Sequence, residues 1–316
     1  YHGKGTAYTF DENGIKTGEK DYKKGESIQF YGGFEPRLGL KFQIDESSSI
    51  KGGVSRNIQF MHLLNNTTTA SPTDLWVPSS NNVKPQIVDQ VSVGYFRNFS
   101  DNMFEASFET YYKSLQNQID YRNGADLTFN AEYEGALTYG KGIAYGAEFY
   151  LKKNKGRLTG WIGYTLARSL RKFEAINKGD FYPAKQDRIH DLSIVGIYKL
   201  NKKLTVSATW VFYTGDAATF PSGKYTVAGV QTPFYTERNG YRFPNYHRLD
   251  LGVTLLGKQH KTFESSWNFS VFNAYARQNA YSITFRENED DRSKTEAVRT
   301  SLFSIIPAVT YNFKFK

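Results

Sequence analysis

Histidine is the side chain with the most varied chemistry near neutral pH, and this chain has five of them, none close to another in sequence. They are His2, His62, His190, His247 and His260. Metal and haem sites need ligands at defined spacings, so this pattern predicts solvated or lumen-lining histidines and no metal site. His62 lies beside Met61 at the base of a loop, where contact with an iron-bearing ligand stays an alternative.

A hydrolytic site would need an acid and a histidine that converge on a nucleophile. Asp187 and His190 are close enough in sequence to be a candidate acid–histidine pair, but the chain has no G-x-S-x-G nucleophile motif. We therefore predict that the protein is not an enzyme and has no catalytic residues.

An acidic cluster near the end of the chain is the remaining candidate for ion binding. It consists of Glu287, Glu289, Asp290 and Asp291. The cluster lacks the glycine and the oxygen-ligand spacing of an EF-hand, so a solvated loop is the first interpretation. Calcium bound in this loop is the alternative, and we predict no other cofactor.

Aromatic side chains are concentrated in a stretch that otherwise reads as a loop, residues 215–245. They are Phe220, Tyr225, Phe234, Tyr235, Tyr241 and Phe243. Such rings can clamp a flat or sugar-bearing ligand, or they can pack the loop on its neighbours or lie at lipid headgroup level. Trp76, in an earlier loop, presents the same alternatives. We predict Trp76 and the first five of these aromatic residues as ligand-binding candidates.

The segments that must position these loops read as β-strands with two unlike faces. In residues 246–256, Leu249, Leu251 and Val253 alternate with Arg248 and Asp250. Because side chains alternate across a strand, one face requires an apolar medium and the other requires water. The last strand repeats the pattern. No helix or second sheet is predicted that would cover these apolar faces, so lipid is the medium we expect.

Composition supports strands that cross a membrane. Aromatic residues make up 16% of the 316 residues, with 23 Tyr and 24 Phe, and no apolar run approaches the roughly eighteen residues of a membrane helix. A transmembrane β-barrel has this composition, with a polar lumen and aromatic residues at both interfaces. A soluble all-β protein rich in tyrosine is the alternative. The net charge of +9 comes from scattered Lys and Arg residues, which argues against nucleic-acid binding, and the absence of cysteine fits an outer membrane or periplasm.

The connections between strands alternate strictly between short and long. Turns of roughly three to five residues alternate with loops of roughly eighteen to thirty, as in outer-membrane barrels with short periplasmic turns and long extracellular loops. We predict an all-β, antiparallel transmembrane barrel with about eleven strands present, each near the ten residues that a tilted crossing needs. Bacterial barrels have even strand numbers, so further strands are expected.

Five motifs, in order along nearly the whole chain, resemble those of TonB-dependent outer-membrane receptors. They are Lys84-Pro-Gln86 through Tyr95, Gly142-Ile-Ala-Tyr-Gly-Ala-Glu-Phe149, Asp187-Arg-Ile-His190 with the strand after it, Asn245-Tyr-His-Arg-Leu-Asp-Leu251, and the terminal Val309-Thr-Tyr-Asn-Phe-Lys-Phe315. The loop around Trp76 and the lysine-rich turns resemble Bacteroidetes members of the family.

The resemblance implies a 22-stranded barrel, of which residues 1–316 would be the C-terminal part. It also implies active import of a scarce nutrient: a ferric siderophore, haem, cobalamin, an oligosaccharide or a peptide. The loop lengths favour a siderophore-like ligand. TonB, ExbB and ExbD would act through an N-terminal part that this chain lacks. Outer-membrane lipid and lipopolysaccharide are expected around the barrel, and a surface lipoprotein is a further candidate partner.

The start of the chain, Tyr1-His-Gly-Lys-Gly-Thr6, reads as loop sequence, and no signal peptide precedes it. We therefore expect a piece of a longer chain, without the plug domain and the earlier strands. A passive outer-membrane pore or structural barrel is the alternative function, and an outer-membrane hydrolase is the third.

Overall fold

A computed structural model describes residues 2–64, 75–125, 132–227, 230–257, 262–291 and 294–315. Its strands up to the middle of the chain are β1 His2–Phe10, β2 Lys16–Ser27, β3 Arg37–Gln43, β4 Ser48–Gln59, β5 Met61–Leu64, β6 Leu75–Pro78, β7 Gln86–Phe99, β8 Phe104–Tyr121, β9 Leu137–Lys153, β10 Leu158–Phe173 and β11 Tyr182–Pro183. The later strands are β12 His190–Lys199, β13 Leu204–Tyr213, β14 Ala217–Ala218, β15 Gly223–Val227, β16 Val230–Phe234, β17 Tyr241–Arg242, β18 Tyr246–Leu256, β19 Phe263–Phe272, β20 Ser282–Glu287, β21 Thr295–Thr300 and β22 Ile306–Phe315. Two short 3-10 turns, Tyr133–Ala136 and Asn177–Gly179, lie between strands.

Eleven long strands form one antiparallel sheet in which each strand pairs with its sequence neighbours. Their order is β22-β19-β18-β13-β12-β10-β9-β8-β7-β4-β3, and β11 adds a short pairing to β10. The predicted number of strands and their antiparallel order are confirmed. Among the described residues, none of the helices has the length and apolar character to cross a membrane.

The two faces of the sheet differ in chemistry as the alternation predicted. On β18, Leu251 and Val253 are exposed on the outer face. Arg248 and Asp250 lie on the inner face, where they form an ion pair of 2.9 Å. Large exposed apolar side chains line the outer face of the neighbouring strands too, which is the pattern of a lipid-facing surface.

Several strands extend further toward the long loops than the sequence predicted. The sequence pattern predicts strands that end at Leu115 and begin at Gly142, whereas β8 continues to Tyr121 and β9 begins at Leu137. The pairing of β8 with β9 shifts register between Leu115 and Gln118. Strands above the lipid no longer need an apolar outer face, so their alternation disappears from the sequence while the backbone ladder continues.

The long connections contain strands of their own. Hairpins β5–β6, β15–β16 and β20–β21 stand in three of them. The start of the chain, which the sequence predicts to be a loop, contains a hairpin of β1 and β2. The apolar clusters of buried residues also belong to this end of the sheet: one is built from Leu64, Val77, Val83 and Leu137, the other from Phe173, Ile176 and Tyr182.

Candidate functional site

A cavity of about 870 Å³ opens at the long-loop end of the sheet. Its wall combines the ends of β8 and β10 with the connection from β13 to β18 and parts of two other loops. The charged and aromatic side chains that line it are Asp120, Tyr121, Arg171, Tyr182, Lys185, Tyr225, Phe234, Tyr235, Glu237 and Arg238. A cavity with convergent polar groups and several rings is the usual form of a small-molecule site.

The predicted aromatic residues of the loop between β13 and β18 divide into two groups. Tyr225, Phe234 and Tyr235 line the cavity. Phe220 and Tyr241 instead stack on each other, with 5.4 Å between ring centroids. Phe220 also meets Phe243 at 6.1 Å and Phe285 at 5.0 Å, so this group packs the loop against β20. Ligand binding by any of these residues stays a prediction.

Trp76 is not one of the residues that line the cavity. It stands on β6 opposite Leu63 of β5 and is 59% exposed. Its neighbour across the hairpin does line the cavity, together with Leu64. The structure therefore places Trp76 on the surface of a hairpin whose other strand borders the site.

Arg238 joins three connections at the edge of the cavity, and its side chain is only 9% exposed. Its guanidinium donates to Asp120 Oδ1 at 2.6 Å, to the carbonyl of Tyr121 at 2.7 Å and to Asn123 Oδ1 at 2.9 Å. It also lies over the Tyr121 ring, 4.1 Å from the centroid. The backbone N–H of Arg238 donates to Asn177 Oδ1 at 2.8 Å, and Asn177 Nδ2 donates to the carbonyl of Arg238 at 2.9 Å.

Asp120 is the acceptor at the centre of this Arg238 junction. Tyr182 Oη donates to its second oxygen, Oδ2, at 3.0 Å. Burial, with the nearby Asp120 carboxylate, raises the pKa of Tyr182, so its hydroxyl stays a donor at any physiological pH. Both carboxylate oxygens of Asp120 therefore accept hydrogen bonds, and these bonds hold two loops against the end of β8.

Arg171 is a cationic side chain of the cavity wall. It is half-buried near the end of β10, where its guanidinium donates to the carbonyl of Leu170 at 3.4 Å. No ion pair within the described part of the chain includes it. A cation in this position favours an anionic group in the cavity, because charge complementarity offsets the cost of its burial.

Asp187 and His190, the candidate acid–histidine pair of the hydrolase alternative, do not contact each other among the hydrogen bonds and ion pairs of the described residues. Asp187 is fully buried and binds arginines: Arg242 through a short charge-assisted hydrogen bond, and Arg168 at 3.4 Å. Its Oδ1 accepts from the Ser169 backbone at 2.5 Å. His190 instead contacts the hydroxyl of Tyr164 through Nδ1 at 2.8 Å. The pair has no shared geometry that could activate a nucleophile.

His62 is neither solvated nor lumen-lining, contrary to the prediction. It is buried beside an apolar cluster, with Nε2 at 3.0 Å from Ser79 Oγ, and this burial lowers its pKa. His247 contacts Tyr275 Oη at 2.7 Å. His260 lies outside the described residues. Across the described ranges no cluster of three or more His, Asp or Glu side chains is placed to hold a metal ion.

The acidic cluster between β20 and β21 is partly compensated by basic side chains. Glu289 lies 3.6 Å from Arg286, and Asp291 lies 3.2 Å from Lys294. The backbone amides of Asp290 and Asp291 donate to Asn288 Oδ1, as in a local turn. Calcium binding in this loop stays a prediction.

Sequence reasoning missed Asp120, Arg171 and Arg238. Asp120 and Arg238 are 118 positions apart and belong to no common motif. Neither the alternation of β8 nor the aromatic content of the later loop signals their pairing. Only the folding of the β13–β18 connection over the end of β8 brings them together.

Comparison with protein families identifies a match over most of the chain. A family model described as "TonB dependent receptor-like, beta-barrel" matches residues 5–284. A comparison with curated protein sequences finds no match.

Several solved structures of similar fold are receptors for ferric compounds. The ferric-catecholate import receptor Fiu of E. coli K12 shares 13% identity at a TM-score of 0.55, over 89% of this chain and 34% of that chain. The ferripyoverdine receptor of Pseudomonas aeruginosa shares 13% at 0.57, over 95% and 34%. The ferric preacinetobactin receptor BauA of Acinetobacter baumannii shares 11% at 0.53, over 89% and 36%. The chain thus spans about a third of the length of each, and at these identities the likeness concerns the fold.

Proposed function

The chain belongs to the TonB-dependent receptor-like β-barrel family, and from this premise we propose that it is part of an active importer of a scarce nutrient. Members of the family are integral receptors of the bacterial outer membrane and not enzymes. The chain is accordingly an integral outer-membrane protein whose short turns face the periplasm and whose long loops face outward. The family match over residues 5–284 is the observation that carries the proposal.

We propose that the ligand is a ferric siderophore with anionic groups, bound in the cavity among the extracellular loops. Arg171 offers a cation to such a chelate. The rings of Tyr225 and Tyr235 offer flat surfaces and hydroxyl groups for its organic part. The neighbouring structures are named as siderophore receptors, which supports this ligand class over an oligosaccharide.

We also propose that energy reaches the receptor through TonB with ExbB and ExbD, and that a plug segment occupies the lumen. Glu109 and Glu148 lie directly opposite each other on the inner face of β8 and β9. Like charges in this position destabilise a sheet. No ion pair within the described ranges includes either carboxylate, so a cationic segment in the lumen would stabilise both. Further partners, a surface lipoprotein among them, stay open.

Uptake by the complete receptor in cells tests this proposal. We expect energy-dependent import of at least one ferric siderophore from a panel, measured with radiolabelled iron and abolished when tonB is deleted. Arg171→Gln should weaken binding of that siderophore by about tenfold, since a charged hydrogen bond contributes about 1.5–3 kcal/mol.

Arg299→Gln is the matched control, because Arg299 is exposed on β21 and does not line the cavity. Equal binding by wild type and Arg171→Gln would refute the role of the cavity. Uptake that persists without TonB, together with open conductance in planar bilayers, would instead favour a passive pore.

A further inference from the structure

Two lysines face each other directly on the outer surface of the barrel. Lys141 of β9 and Lys172 of β10 are Cα partners, and the register of these strands runs unbroken from Gly160 to Phe173. Strand alternation therefore puts both lysines on the same face as Leu166, which is exposed on the lipid side. Like charges at directly opposite positions cost stability unless an anion lies between them.

Along the membrane normal, this lysine pair lies outside the hydrocarbon core of the bilayer. β10 begins at Leu158, at the periplasmic end, and has 16 residues. A tilted strand crosses the apolar core in about 9–11 residues, so roughly its last five residues project beyond it. Lys172, one residue before the end of β10, therefore lies at the level of the outer-leaflet headgroups.

Apolar surface adjoins the two charges. Phe181, just before β11, is 45% exposed, and the Lys172 ammonium lies 5.5 Å from its ring centroid. One row closer to the membrane, Ile143 and Leu170 are Cα partners on the same outer face. We call the surface of Lys141, Lys172 and Phe181 the lysine patch.

Neighbouring strands at the outer rim show a different arrangement. Arg56 of β4 and Asp89 of β7 are Cα partners on the outer face and form an ion pair of 2.6 Å, to which Gln116 adds a hydrogen bond at 2.9 Å. That site compensates its own charge. No ion pair in the described part of the chain includes Lys141 or Lys172, although Glu174 follows two residues after Lys172.

We propose that the lysine patch binds the phosphorylated headgroup of an outer-leaflet glycolipid. A phosphate between the two ammonium groups would remove their repulsion, and the acyl chains below it would cover Ile143 and Leu170. Phe181 would lie against the sugar at headgroup level, as aromatic residues do at membrane interfaces. The site is separate from the ligand cavity, and its occupant belongs to the membrane.

Titration of the complete, delipidated receptor with bisphosphorylated lipid A tests this site, with bound lipid counted by native mass spectrometry. Near a membrane surface each lysine contributes about 1 kcal/mol, so Lys141→Gln with Lys172→Gln should weaken binding about 30-fold. Dephosphorylated lipid A should bind weakly and equally to both proteins. Heat-modifiable migration on gels reports that the variant barrel is folded.

The matched control is Lys202→Gln with Lys203→Gln, which removes the same charge at a periplasmic turn and should leave lipid A binding unchanged. Equal lipid A affinity of wild type and the Lys141/Lys172 variant would overturn the proposal. An equal loss in the control would reduce the effect to net charge and would also overturn it. Inorganic phosphate that displaces lipid A at the same concentration would identify a small-anion site instead.

Discussion

The two ends of the barrel are stabilised over very different distances along the chain. At the periplasmic end, Asn201 Oδ1 accepts from the backbone amides of Lys203 and Leu204, and Asp45 Oδ1 accepts from Ser47. At the extracellular end, Arg238 reaches Asp120 across 118 positions. The periplasmic turns close within themselves and contact only adjacent turns, as where Lys155 donates to the carbonyl of Asp101. The extracellular contact instead joins connections whose strands are not adjacent in the sheet.

This difference indicates where the sequence can vary independently. A periplasmic turn closes through its own few residues, so a change there should affect its own hairpin and at most an adjacent turn. An extracellular loop shares side chains with other loops, so a change at one contact releases two or three segments. Binding residues on such loops are positioned by contacts that lie outside the binding surface.

The largest effect on the stability of the extracellular loops is expected from Arg238→Ala. It leaves Asp120 without its cation and removes three hydrogen bonds at once, and breaking a largely buried pair costs about 3 kcal/mol. Amide hydrogen exchange should accelerate about 100-fold in residues 233–241 and 175–183 together. Arg299→Ala is the exposed control, and acceleration confined to the mutated loop would contradict the interdependence of the loops.

A smaller effect of the same kind is expected from Asp187→Asn. The amide keeps an acceptor for the Ser169 backbone but loses the charge that holds Arg242, which costs about 2 kcal/mol. Exchange should rise in residues 184–189 and 215–218. Asp180→Asn, at an exposed position of the same connection, should leave both segments unchanged. If both variants behave alike, the Asp187 contact does not join the loops.

At the periplasmic end, Asn201→Ala should destabilise only its own turn, by about 1 kcal/mol, because one side-chain oxygen is lost as acceptor for two amides. Exchange should increase at residues 202–204. The extracellular segments should keep their wild-type rates, with Lys202→Ala as the control at the turn tip. Faster exchange at the extracellular end would erase the distinction between the two ends.

The smallest effect concerns pH and the β5–β6 hairpin. Burial lowers the pKa of His62, so the folded hairpin keeps it neutral while the unfolded segment takes up a proton below about pH 6.5. The stability of the hairpin should therefore be complete above pH 6.5 and should fall as the pH drops below that value. Hydrogen exchange of residues 61–64 between pH 5 and 8 measures this, after correction for intrinsic rates. His62→Gln should remove the dependence, and a flat wild-type profile would contradict it.

The same contrast explains what could be predicted from the sequence. The crossing segments were found because lipid on one face forces residues such as Leu251 and Arg248 to alternate. Tyr246–Leu256 was predicted with the bounds that the structure shows. Above the membrane that constraint ends, so the continuation of β8 to Tyr121 and the hairpin β1–β2 left no periodic signal.

The candidate site was predictable only in its chemical character. Three of the aromatic candidates, Tyr225, Phe234 and Tyr235, line the cavity because they belong to a hairpin that turns toward it. Arg171 and Arg238 could not be predicted as site residues, because their roles depend on residues that come from other strands and loops. A single sequence carries no record of such pairings.

The contact between Asp120 and Arg238 also bears on the order in which the protein assembles. Its two halves come from β8 and from the connection that precedes β18, with four long strands between them in the sheet. Contacts of such sequence separation close late, because the entropy of the intervening chain must be lost first. A nascent barrel would therefore insert into the membrane while these two connections are still separate. This part of the extracellular opening would take shape only after the strands between β8 and β18 have been inserted.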